Sequence, residues 1–235
     1  MNKKNRTGII GLLIVALGVL IAVYPLLTNR QYNAQVESRY EQFPHQSVGN
    51  ETTEVMVDPL LEELYEKLSL ENKKLSEQNQ PDLTDPWSYE ATEVDLTEYG
   101  LEDNIIAYLT IEKMDIKLPV LLGASRKNMK LGAAHMTNTS YPIGGEDTNC
   151  VIAAHRGYYK AELFRHIEDL DIGDEVILEN FMETLKYRVA EIQVVDPNEA
   201  APLFIQKGRE LLTLLTCHPL GGDAQRYIVI CERVK

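Results

Sequence analysis

From Ile105 onward the sequence breaks into short apolar runs: IIAYLTI, IKLPVLL, CVIAAH, EVILEN, TLKYRVAEIQVV, LLTLLTC and RYIVICERV, separated by Gly, Asn, Asp and Pro. Runs of this length, rich in Ile, Val, Leu and Tyr and bounded by such breakers, read as β-strands. They are too closely spaced for βαβ units, because each parallel crossover needs a dozen or more residues, usually a helix. The one convincing intervening helical pattern is short, around KAELFRHIEDL at 160–170. A mainly β fold is therefore expected over residues 104–235, an antiparallel barrel or sandwich.

The other end of the chain imposes a different constraint. Residues 8–27, GIIGLLIVALGVLIAVYPLL, carry no charge, and a helix of that length at about 1.5 Å per residue crosses a hydrocarbon core of roughly 30 Å. Lys3, Lys4 and Arg6 precede the run and only Arg30 follows closely. The excess of cations before the span predicts a cytoplasmic N-terminus and an exterior location for everything after Thr28. A cleaved signal peptide is the rival reading; the run is long for one and no A-x-A site closes it. Residues 1–30 are thus expected to form a cytoplasmic tip and a transmembrane anchor.

Between the two lies an acidic extension, residues 31–103. NRQYNAQVESRYEQ continues a helical pattern, and FPHQSVGNETTEVMVD reads as loop. A second helix follows, with Asp58 as its cap, Pro59 at its first position and Leu60, Leu61, Leu64 and Leu68 at helical spacing, a stripe expected to dock on the domain's own surface. SEQNQPDLTDPWSYEATEVDLTEYG has no usable period and reads as a long exposed segment, a kind that is often functional. Residues 37–103 hold 18 acids and four bases, whereas 104–235 hold 18 and 15. With the basic tip removed, 36 acids against 19 bases leave a formal charge of −17, which excludes nucleic acid as an expected partner.

Three cysteines cannot all pair within one chain. Cys150 and Cys231 lie inside apolar runs, where cysteine serves as a small buried hydrophobe. Cys217 instead ends its run, before His218 and the turn HPLGGDAQ that leads to Arg226. Two antiparallel strands joined by that turn bring a thiol beside a permanent cation. A thiolate is a strong nucleophile, and a guanidinium is a fixed donor for the oxyanion that acyl transfer develops.

Five histidines compete as proton shuttle. His45 lies in the acidic linker, His166 in the amphipathic stretch and His135 in GAAHMTNTSYPIGG, where a structural role suits it. His218 adjoins Cys217, but consecutive strand side chains point to opposite faces. His155 alone closes a strongly apolar strand, before Arg156 and Gly157. Cys150, His155, Cys217 and His218 are ligand types for zinc, yet no C-x-x-C or H-x-x-x-H chelate is present, so neither metal nor other cofactor is expected.

TLLTC at 213–217, QR nine residues beyond the cysteine and AAHRG at 153–157 together resemble the catalytic signature of sortases, the membrane-anchored cysteine transpeptidases of Gram-positive cell surfaces. The resemblance extends over roughly 105–234, including IKLPV and LFRHIEDLDIGDEV. It implies a closed eight-stranded barrel with Cys217 as nucleophile, His155 as acid and base and Arg226 as stabiliser of oxyanion and substrate. YPLLTN after the span, the acidic helical extension and DPW at 85–87 resemble class C, the pilin-polymerising sortases. That resemblance implies a lid, with Asp85 approaching Arg226 and Trp87 covering Cys217. Two features depart from the class: many members carry a second transmembrane helix after the barrel, whereas this sequence ends at Lys235, and His218 and Gln225 differ from many pilin polymerases.

The expected protein is a single-pass enzyme of the cell membrane with its catalytic domain outside. It cleaves an LPXTG-like sorting signal after Thr and joins it to an amine, a pilin lysine in the class C reading. The alternatives are a cell-wall-anchoring sortase using a peptidoglycan amine, a cysteine hydrolase using water, and a non-catalytic surface adaptor built on the Leu-striped helix.

Overall fold

The computed structural model of the chain describes residues 3–44, 58–80, 83, 94–158 and 160–234. Helix α1 spans Lys3–Tyr40 and helix α2 Pro59–Gln78. The strands are β1 Ile105–Ile111, β2 Ile116–Leu122, β3 Ala133–His135, β4 Thr148–Ala153, β5 Arg156–Tyr158, β6 Ala161–Leu163, β7 Glu175–Asn180, β8 Thr184–Val195, β9 Glu210–His218 and β10 Gln225–Arg233. A one-turn helix, α3, occupies Asn128–Leu131. Eight of the strands close a barrel in the order β1-β2-β3-β4-β9-β10-β8-β7, and β5 and β6 form a separate hairpin.

The barrel is mixed rather than antiparallel as expected, because β2 pairs with β3 and β4 with β9 in parallel. The strand responsible, β3, is three residues long and gives no periodic signal. It fits because Gly132 precedes it: a Cβ there would lie 2.4 Å from the Pro119 carbonyl oxygen. Pro119 itself lacks an amide donor, and β3 joins β2 only from Val120 onward.

The predicted helix at 160–170 is not formed. Ala161 and Leu163 pair with Tyr158 and Arg156, and Leu163 adopts a left-handed φ of 47° that no α-helix accommodates. A 3-10 turn, Ile167–Asp169, is all the helix that remains. The apolar residues of that stretch, among them Phe164, Ile167 and Leu170, are buried in the core all the same. Apolar spacing in so short a stretch did not decide between a helix and a folded-back hairpin.

Strand chemistry follows burial. In β8 the inward residues Leu185, Tyr187 and Val189 alternate with exposed Lys186 and Arg188, the pattern of a sheet with one wet face. Strands β4 and β9 read as near-continuous apolar runs, and both are buried along nearly their whole length.

Outside the barrel, α1 is long and apolar enough to cross a membrane, with an apolar window of mean hydropathy 2.7 that is not buried among the described residues. Its C-terminal half and the turn that follows it dock on the barrel. Val36 and Phe43 are buried, Phe43 and Tyr40 meet Tyr108 edge-on at 5.2 and 5.0 Å, and the Tyr40 hydroxyl donates to Glu179 Oε2 at 2.7 Å. Helix α2 starts as expected: the Asp58 carboxylate accepts from the Leu60 amide at 2.9 Å, with Pro59 as first residue.

Its stripe does face the domain. Leu61, Leu64 and Leu68 are buried and the face continues through Asn72 and Ser76, while Leu60 departs from the expectation by lying 46% exposed. Asn72 acts as a short strand: its Oδ1 accepts from the Tyr141 amide at 2.7 Å and its Nδ2 donates to the Tyr141 carbonyl at 3.3 Å. Leu64→Ala should cost about 2–5 kcal/mol, since Leu64 is fully buried. Leu60→Ala should stay within about 0.5 kcal/mol. Urea denaturation of the two variants beside the wild type measures the contrast.

Candidate active site

The three residues singled out by type lie at one rim of the barrel, where β4 and β9 end and β10 begins. Cys217 and Arg226 are direct partners in the antiparallel β9–β10 ladder, so their Cα atoms are held roughly 5 Å apart. The parallel β4–β9 ladder runs up to Ala153 opposite Leu215. One residue further, the Ala154 amide donates to the Leu215 carbonyl at 3.2 Å, and the Thr216 hydroxyl donates to the Ala154 carbonyl at 2.7 Å. His155 and Cys217 are the next residues on the two chains.

The ladder beneath is secured by polar groups that satisfy one another. Thr213 Oγ1 donates to Asn149 Oδ1 at 2.8 Å, and Asn149 Nδ2 donates to the carbonyls of Pro202 and Phe204 at 3.2 and 3.1 Å. Asn149, Thr213 and Thr216 are all buried, so each bond also averts the cost of an unmatched polar group.

His155 leaves the barrel ladder. Its carbonyl accepts from the amides of Gly157 and Phe164 at 2.9 and 3.1 Å, making the start of the β5–β6 hairpin, and its ring lies 6.0 Å from that of Tyr158. Gly157 takes φ +88°, and a Cβ there would press on the Arg165 guanidinium at 3.2 Å, so the glycine of AAHRG serves this turn. Partial burial lowers the His155 pKa, and the charge of Lys130 on α3 lowers it further. Both favour a neutral imidazole. The Arg226 guanidinium is oriented by its own turn: Nη1 donates to the carbonyls of Asp223 and Gln225 at 2.6 and 2.9 Å.

Burial separates the three thiols. Cys150 and Cys231 are buried, and desolvation alone pushes both far above the ordinary thiol range. Cys217 is the one cysteine with partial solvent access, and a reactive thiol needs that access.

The other histidines sort equally clearly. His135 is buried in β3, its Nε2 within 3.1 Å of the Ser140 carbonyl, and burial pushes its pKa down to about 4, which makes it structural. His166 lies half exposed between Glu162 and Asp169. His218 turns away from Cys217 and packs on Arg156, Glu168 and Tyr227. His45 and the lid candidates Asp85 and Trp87 lie outside the described residues. Among the described residues no three His, Cys, Asp or Glu side chains are placed to hold a metal.

Sequence reasoning missed Thr216 and Lys130. Thr216 lies within TLLTC, but its bond to the Ala154 carbonyl joins segments 62 residues apart and has no local signal. Lys130 carries no local signal, because only the β2–α3–β3 crossover brings it near His155. Removing that positive charge raises the His155 pKa, so Lys130→Gln should move the imidazole titration to higher pH, measured by NMR on the His155 ring.

The Sortase domain family model matches residues 109–234. Sortase D of Bacillus subtilis (strain 168) is 28% identical over 129 residues, a match spanning 54% of this chain and 62%, less than two thirds, of that relative. Sortase A of Bacillus anthracis is 24% identical over 234 residues, 100% of this chain and 97% of the relative. Among solved structures, sortase C of Streptococcus pneumoniae, described for its catalysis and pilin substrate specificity, matches with TM-score 0.60 and 30% identity over 76% of this chain and 97% of its own.

Proposed function

Because the chain belongs to the sortase family, whose members are cysteine transpeptidases, we propose that Cys217, His155 and Arg226 carry out acyl transfer on an LPXTG-like sorting signal. The carrying observation is the shared strand end: Cys217 opposite Arg226 in register, with His155 one residue past the bonds that pin Ala154 to Leu215 and Thr216.

In this reading the neutral His155 imidazole first takes the Cys217 thiol proton, and the thiolate so formed attacks the Thr carbonyl of the signal. The electron pair moves onto the carbonyl oxygen, where the Arg226 guanidinium offers charge-assisted donors. As the tetrahedral species collapses, the Thr–Gly bond breaks and His155 gives its proton to the departing glycine amine, leaving a thioester on Cys217. An incoming amine attacks that thioester, His155 takes its proton, and the thiolate is released as the new amide forms. A neutral resting imidazole suits both steps in which it is the base. The acceptor we infer is a pilin lysine, supported by the structural likeness to a sortase C described for pilin substrate specificity.

Mixing the chain with sorting peptides and reading intact mass tests the first step. The wild type should carry a peptide adduct on Cys217 and Cys217→Ala none; an adduct retained in the variant refutes the assignment. Adding an amine separates the outcomes for the second step. A pilin lysine consumed in preference to a peptidoglycan amine supports the pilin reading, and free acid as the sole product makes the protein a hydrolase.

The apolar window of α1, preceded by Lys3, Lys4 and Arg6, supports a single-pass anchor with the barrel outside the cell. The D-P-aromatic sequence at 85–87 supports a lid in which Asp85 meets Arg226 and Trp87 covers the sulfur. A carboxylate beside a guanidinium would occupy substrate polar contacts, and an indole would keep water out. Asp85→Ala with Trp87→Ala should then raise the alkylation rate of Cys217 severalfold in an iodoacetamide time course, and an unchanged rate removes the lid.

A further inference from the structure

The residues that follow the three proposed reactive residues form a second cluster. Arg156 follows His155, His218 follows Cys217 and Tyr227 follows Arg226. Arg156 Nη1 lies 2.7 Å from His218 Nδ1, its guanidinium carbon 5.8 Å from the Tyr227 ring centre, and the His218 and Tyr227 rings are 5.8 Å apart. The cluster is joined from outside the barrel by Glu168, on the 3-10 turn Ile167–Asp169. Glu168 Oε2 pairs with Arg156 Nη2, and its Oε1 lies 3.1 Å from His218 Nδ1.

The Arg156 side chain is only 4% exposed, and a guanidinium so buried requires a counter-charge. Glu168 supplies it while remaining 45% exposed itself. A guanidinium only donates, so in the contact with Arg156 the His218 Nδ1 is the acceptor and the ring proton sits on Nε2. Were Nδ1 to carry a proton, it would donate to Glu168 instead. With Nδ1 as acceptor the bridge between the two chain segments is the Arg156–His218 bond itself, and Glu168 holds the guanidinium for it through Nη2; with Nδ1 as donor, Glu168 joins Arg156 and His218 directly.

Those segments carry the reacting groups. Beyond Ala154 the chain departs from the ladder with β9 into the β5–β6 hairpin, and the bridge falls one residue past His155 on one side and one past Cys217 on the other. Resting on the reading that His155 and Cys217 react together, we propose that Glu168 is a positioning residue. By holding the Arg156 guanidinium against His218 it fixes the separation of imidazole and thiol.

Misplacement by about 1 Å can cost a reaction up to two orders of magnitude. Glu168→Ala should therefore lower kcat for peptide transfer at least about tenfold with KM within about twofold, and Glu168→Asp should restore most of the loss. A second readout needs no peptide: the pH profile of Cys217 alkylation, followed by mass spectrometry. In Glu168→Ala that profile should move toward the one given by His155→Ala. A wild-type profile in Glu168→Ala, whatever happens to kcat or melting temperature, overturns the proposal and leaves Glu168 a structural ion-pair partner. A wild type that forms no peptide adduct sinks the sortase substrate reading, while the alkylation profiles still decide the role of Glu168. If His155→Ala itself leaves the profile unchanged, the coupling of His155 to Cys217 fails and this proposal fails with it.

Discussion

The parallel pairing of β4 with β9 is the constraint on which the site depends. The pairing ends in two bonds to a single alanine, its amide held by the Leu215 carbonyl and its carbonyl by the Thr216 hydroxyl. Because the two strands run the same way, their C-terminal ends arrive at the same rim of the barrel, each followed by a residue with side-chain chemistry. An antiparallel pair would have sent the ends carrying His155 and Cys217 to opposite rims. The third member reaches the rim differently, from the start of β10, and there the antiparallel hairpin with β9 is what is needed. The mixed sheet is thus what brings these three strand ends to one rim.

Environment then distinguishes groups that sequence chemistry treats alike. Three thiols share one chain, but Cys150 and Cys231 face the core, where ionisation is suppressed by desolvation. Cys217 sits one step beyond the buried part of β9, where Thr216 is still closed off and Cys217 is not. The histidines divide by the same rule. His135 is kept neutral by full burial, whereas His155 at the rim is only half-buried.

The helices outside the barrel bear on where the site can sit. Helix α1 passes from its unburied apolar window into a half docked on β1, β2 and β7 through Tyr40 and the Lys117–Glu37 pair, without a break in the helix. A continuous helix transmits orientation as a flexible linker does not. Helix α2 adds a second brace through its leucines and the amide of Asn72, so the acidic extension is bound to the barrel along two of its segments.

Much of this was legible in the residues. The apolar window, the Asp58–Pro59 helix start, seven of the barrel strands and the burial of Cys150 and Cys231 all follow from local periodicity, capping and hydrophobicity, which act over a few residues and so leave their mark in a few residues. The motifs around Cys217, His155 and Arg226 were legible too, and the β4–β9 and β9–β10 ladders run to the strand ends that carry them. What local pattern could not carry was pairing direction: β3 is too short to show a period, and Leu163 turns a helical-looking stretch back on itself through one left-handed residue. Nor could it show that Arg156, His218 and Tyr227 meet around Glu168, or that Lys130 approaches His155, since each contact joins segments far apart in the chain. The sequence by itself determined which side chains were available and which strands would be buried. The closed barrel alone decided which of them became neighbours, because strand register and direction are set by long-range hydrogen bonding that no short segment encodes.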